Sequence, residues 1–178
     1  MDNVELLVLR SLLYNEDYAR KVVPFIQGDY FEQPSQKIVF EEVSSFITEY
    51  DELPTKEALY IEVEKRNDVT EEIYKQVKEL IEVLNDEPAD EDWLVNTSEK
   101  WCRDRAIYLA LMESIQLADG KDDKKGRDAI PSILSDALAV SFDNNIGHDY
   151  LKDYEERYES YHRKEDKIPF DLEYFNKI

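Results

Sequence analysis

The sequence predicts an all-α protein, with a compact helical head followed by a long helical hairpin and a C-terminal linker helix. Three observations predict it. No apolar–polar alternation of period two persists beyond a few residues, whereas every long segment repeats its apolar residues at helical spacing. The four glycines, Gly28, Gly120, Gly126 and Gly147, interrupt none of those patterns. The six prolines fall at segment boundaries, where a missing backbone N–H is tolerated.

The first helix is expected after Asp2, with Glu5 three residues on as the partner of a capping box. Its apolar stripe is Val4, Leu7, Val8 and Leu12. Asn15 is placed to cap a second helix that carries Tyr18, Val22 and Phe25, with Pro24 near its end. After Gly28, Asp29-Tyr30-Phe31 forms a turn, and Pro34-Ser35 opens a third helix whose inward face is Val39, Val43, Phe46 and Tyr50. Pro54-Thr55 starts a short fourth helix through Leu59 and Val63. Thr70 caps a fifth, in which Ile73, Val77, Leu80, Ile81 and Leu84 follow a spacing close to 3.6. These side chains read as the core of a head spanning 1–88.

The next segment differs in length. Beyond the acidic turn 86–92, one pattern runs from 93 to about 118 without Gly or Pro. It predicts a helix of roughly 35–40 Å, longer than a small core requires. A polar loop at 119–128 leads to a return helix with Pro131 in its first turn and Ile133, Leu134, Ala137 and Leu138 on its apolar face. The two helices form a hairpin, 89–141, of the same domain. A hairpin that outgrows its head must pack on something, and a second copy is the simplest partner. The expected interface is Trp93, Trp101, Tyr108, Leu111, Ile115, Ile133, Leu134 and Leu138.

Residues 142–148 have the composition of a linker, and Asp149 can cap a final helix over 149–167. Leu151, Tyr154, Tyr158 and Tyr161 make a seam on one face; a lone helix of this length is unstable in water, so it docks back on its own domain or, as the preceding linker favours, on another subunit. At 168–178, Phe170, Leu172, Phe175 and Ile178 form an unfinished apolar pattern, read as the start of a further domain.

Composition narrows the function. Hydrophobic residues make up 42% of 178, enough for a packed core. The single cysteine, Cys102, excludes an internal disulfide and a cysteine-based zinc site, and fits a cytosolic, reducing compartment. Apolar runs are too short for a membrane span or a signal peptide. The net charge is −20, from 22 Lys and Arg against 42 Asp and Glu. Such a chain lacks the positive potential that phosphate binding needs. It suits a solvated surface, a docking face for basic partners, or a DNA mimic.

No phosphate-binding loop, dinucleotide fingerprint or zinc-protease motif is present. His148-Asp149 could be half of a metal or acid–base site, but a Gly-His-Asp turn opening a helix is the simpler account. The pair Asp90 and Asp92 is what chance supplies in so acidic a chain. No nucleophile has a base beside it. The residues point to no catalytic, metal or cofactor site.

The closing segment is more specific. Ser141-Phe142-Asp143, Ile146-Gly147-His148-Asp149-Tyr150, Asp153-Tyr154-Glu155-x-Arg157-Tyr158-x-Ser160-Tyr161 and Ile168-Pro169-Phe170-x-Leu172 through Asn176-Lys177-Ile178 together resemble the replicative helicases of T-even-type phages. Those proteins are a branch of the DnaB-like hexameric helicases. Asp29-Tyr30-Phe31, Lys37-x-x-Phe40, Leu53-Pro54, Asp92-Trp93-Leu94-Val95 and Arg105-Ala106 are similar to the amino-terminal helical domain of that family, so the resemblance covers essentially the whole chain.

The resemblance implies that the head and hairpin form the collar of a ring, that the hairpin pairs with a neighbour as a dimer or hexamer, and that the linker helix docks on an adjacent motor domain. It implies primase and a helicase loader as partners, in the cytoplasm of the host cell. Single-stranded DNA, ATP and Mg²⁺ belong to the RecA-like motor, which begins after 168–178, so no nucleotide-binding residue carries over. Two alternatives stand beside it. One is a free-standing acidic adaptor or DNA mimic; the other is an enzyme using clustered carboxylates and a metal.

Overall fold

Helix boundaries follow the side chains available to cap them. The computed structural model describes residues 2–120 and 126–142, and among them are seven α-helices and no strand. They are α1 (Asp2–Tyr14), α2 (Glu16–Val22), α3 (Pro34–Tyr50), α4 (Lys56–Lys65), α5 (Glu71–Val83), α6 (Glu91–Ala118) and α7 (Ile130–Leu138). Asn15, Thr55, Thr70 and Asp90 are each extended. Their side chains accept from the backbone N–H groups of Tyr18 (2.9 Å), Ala58 (3.2 Å), Ile73 (3.4 Å) and Trp93 (2.9 Å). Proline stands in the first turn of α3 and of α7. Gly120 follows α6 with φ +69°, a left-handed conformation open to a residue without Cβ.

One core unites α1, α2, α3, α5 and the first half of α6. Val8, Leu9, Leu12, Tyr18, Val22, Val39, Val43, Val77, Ile81 and Leu94 are buried within it. Leu59 and Val63 bring α4 against α3 as expected. One expectation changes and one gains a second contact. Tyr50, expected to face inward, is exposed at the last turn of α3, where its ring lies 4.6 Å from that of Phe46. Glu5, expected to close a capping box, is buried and accepts from the Glu32 N–H at 3.4 Å. It thereby ties α1 to the approach to α3.

The first half of α6 is part of the head. Leu94, Val95, Ser98, Trp101, Cys102 and Arg105 are all buried. The hydroxyls of Tyr18 and Ser98 meet at 2.6 Å, and the Trp101 ring packs on Tyr30 and Phe31 at 6.2 and 5.1 Å. Arg105 fixes the register. Its Nε donates to the Tyr30 carbonyl at 2.6 Å and its Nη1 to Glu32 Oε1 at 2.7 Å. A buried guanidinium is tolerated because both contacts are charge-assisted.

The return end is tied down as well. Arg103 Nε donates to the Val140 carbonyl at 3.0 Å, and Phe142 stacks on Phe25 at 5.1 Å. Phe142, read from sequence as the first linker residue, is therefore an anchor buried in the head core. Among the described residues no helix is long and apolar enough to cross a membrane.

Three outcomes follow from this packing. Cys102 is fully buried, and desolvation, with the Glu99 carboxylate adding to it, pushes its thiol far above the ordinary range. Dithiobis(nitrobenzoic acid) is expected to label it only at the rate of global unfolding, read by absorbance in native and urea-treated samples. Arg105→Ala is expected to cost about 2–3 kcal/mol, the loss of two hydrogen bonds from a buried charged donor, read as a lower urea midpoint. Glu32→Gln should cost under about 1 kcal/mol, because Glu32 is half-exposed and solvent screens it.

Candidate protein interaction surface

Beyond Arg105, α6 carries two apolar faces. Ala106, Ala110, Ser114 and Leu117 recur at spacings of four, four and three and are buried. The alanines let α7 approach closely, with Ile133 and Leu134 half-buried in the core and Ala137 buried. Among the described residues, no helix covers the second face. Tyr108, Leu111, Met112 and Ile115 follow i, i+3, i+4, i+7 spacing and are 43–56% exposed. Leu138 at the end of α7 is exposed too. Arg105 reaches this surface from inside: its guanidinium carbon lies 5.1 Å from the centre of the Tyr108 ring. The contact that seats α6 in the head thus also positions the first residue of the exposed stripe.

The residues expected at a subunit interface separate into four groups. Tyr108, Leu111, Ile115 and Leu138 are exposed, and Met112, missed by the sequence reading, completes their stripe. Its position four residues after Tyr108 was the available signal. Ile133 and Leu134 are half-buried and pack on the core that includes α6. Trp101 is only 6% exposed and is corrected to a core residue, because the Tyr30–Phe31 turn closes over it. Trp93 is 54% exposed but lies fifteen residues before Tyr108, about 22 Å along the helix. It belongs to another surface.

No catalytic geometry emerges among the described residues. No group of three or more His, Cys, Asp or Glu side chains is placed to hold a metal ion. Of the paired carboxylates singled out above, Asp90 is the N-cap of α6. His148-Asp149, the 149–167 helix and its seam Leu151, Tyr154, Tyr158 and Tyr161 lie outside the described residues, as do 143–148 and 168–178.

No family model matches the chain. A match among known proteins does, over 180 aligned residues at 38% identity, to the DnaB-like replicative helicase of Enterobacteria phage T4. It covers 97% of this chain but 38% of that protein's length. A chain whose described residues are all-α, with an exposed apolar stripe on α6, is thus similar, over nearly its whole length, to part of a DnaB-like phage replicative helicase.

Proposed function

We propose that this chain is the non-catalytic, N-terminal collar and partner-docking region of a ring-shaped, ATP-dependent replicative DNA helicase. The observation that carries the reading is the stripe Tyr108, Leu111, Met112 and Ile115, exposed on a chain that is similar to part of such a helicase. Large apolar side chains aligned along one helix are a surface for another protein. Covering the exposed half of each would stabilise an interface by about 1 kcal/mol per side chain. Two copies meeting through α6 and α7 would make the pairwise contact from which a ring is built.

The rest of the reading follows from charge and from the extent of the match. With a net charge of −20, the collar would leave DNA to a motor domain. ATP, Mg²⁺ and strand translocation are assigned to that domain, in the part of the relative's length that the alignment does not cover. Primase and a helicase loader are the partners this reading expects, in the host cytoplasm. Leu151, Tyr154, Tyr158 and Tyr161 are assigned on sequence grounds to a linker that docks on the neighbouring motor. The similarity to a helicase favours this reading over a free-standing adaptor or DNA mimic.

Leu111→Glu with Ile115→Glu alters two exposed positions, so the helix melt should stay within about 0.5 kcal/mol of wild type. The same double substitution should abolish self-association by light scattering; an unchanged mass would sink the collar reading. In a protein that carries the motor, replacing Tyr154, Tyr158 and Tyr161 with Ser should weaken hexamers and ATP-driven unwinding together. Native mass spectrometry and a strand-displacement assay measure the two effects.

A further inference from the structure

At the opposite end of α6 from the apolar stripe, two grooves of about 350 Å³ each adjoin. The first is apolar, formed by Leu6 and Leu7 of α1, Val83 and Leu84 at the end of α5, and Trp93. Of its lining, Trp93 and Val83 are 54% and 67% exposed, while Leu84 is buried. The second is acidic, lined by Glu16, Asp17 and Asp86. The ion pair between Arg10 and Glu87 borders both and divides them. Among the described residues, Arg10 is the sole cationic side chain lining either groove, and it is already paired. Asp90, Glu91 and Asp92 add exposed carboxylates immediately before Trp93.

We propose that this pair of grooves docks a basic amphipathic segment of a partner protein, with an apolar side chain in the Leu6–Val83–Trp93 groove and its Lys or Arg side chains against Asp17 and Asp86. Charge complementarity selects the occupant. A second copy of this chain would bring a predominantly acidic surface against a carboxylate-lined groove, which favours a basic occupant there. The chain's own residues 143–178, with ten Asp and Glu against six Lys and Arg, are acidic as well. An apolar slot beside a carboxylate-lined slot matches a helix with one apolar face and cationic flanks. The surface lies about 33 Å along α6 from Ile115, so both ends can be occupied at once. The inference deepens the partner-docking half of the proposed function and rests on it; it does not rest on self-association.

The probe is a synthetic 15-residue peptide with Leu at i, i+4, i+7 and i+11 and Lys elsewhere, titrated into the whole chain. Trp93 is exposed and Trp101 buried, so docking should shift tryptophan emission to the blue. Val83→Glu should abolish the shift. Val83→Ser, which adds no charge, should weaken binding and serves if Val83→Glu disturbs the fold. Asp17→Lys with Asp86→Lys should weaken binding about tenfold, whereas Glu52→Lys with Glu64→Lys, an equal charge change elsewhere, should stay within about twofold.

The proposal is overturned if there is no blue shift, if both charge-reversal pairs weaken binding equally, or if Val83→Glu binds like wild type. A Val83→Glu chain of altered mass by light scattering would also overturn it, naming a second copy as the occupant. A failed titration beside a mass that Leu111→Glu and Ile115→Glu reduce would remove this surface and leave the collar. The reverse pair of results would remove the collar and leave this surface.

Discussion

The structure depends on one helix serving two environments. α6 enters the head at Leu94 and contributes to its core as far as Ala110, and over its later turns α7 is its main partner among the described residues. Its length is set by local rules: Asp90 caps one end, Gly120 stops the other, and nothing between them breaks the pattern. What makes the projection rigid is the anchoring of the first half. Trp101 on Tyr30 and Phe31, the Tyr18–Ser98 hydroxyl pair and the Arg105 hydrogen bonds leave no freedom of register. A helix held so firmly at one end presents the side chains of its other end at defined positions, which recognition requires.

Arg105 connects these two roles. It is a cation inside the protein, held by a backbone carbonyl and a half-exposed carboxylate. A methionine of similar volume could fill the space, but it could not hold the Tyr30 carbonyl or lie against Tyr108 as a cation. The guanidinium therefore couples the core to the exposed stripe through one side chain.

Electrostatics shape the rest of the surface. Arg20 pairs with Glu16 and Asp51, Lys37 with Asp29, and Arg66 with Glu41, Glu42 and Asp68. Exposed pairs of this kind add little to stability. Their larger consequence is that several of the few cations are already engaged, which leaves the outer face governed by carboxylates. That disfavours phosphate and favours basic partners, and it agrees with a role in protein contacts.

The sequence by itself determined the all-α class, the caps at Asn15 and Thr70, the start of α4 at Pro54-Thr55, and the extent of the long helix, because these depend on periodicity and on hydrogen bonds spanning three or four residues. Tyr108, Leu111 and Ile115 could be read as apolar and aligned for the same reason. Only the tertiary structure decided which apolar residues are covered. Trp93 and Trp101 look alike in sequence, yet one is exposed and the other lies in the core, because the turn that closes over Trp101 comes from seventy residues earlier in the chain. Phe142 looked like linker until its stacking on Phe25 appeared, and the contact of Glu5 with the Glu32 N–H is not readable from local spacing. Burial depends on neighbours distant in sequence, and no local pattern carries that information.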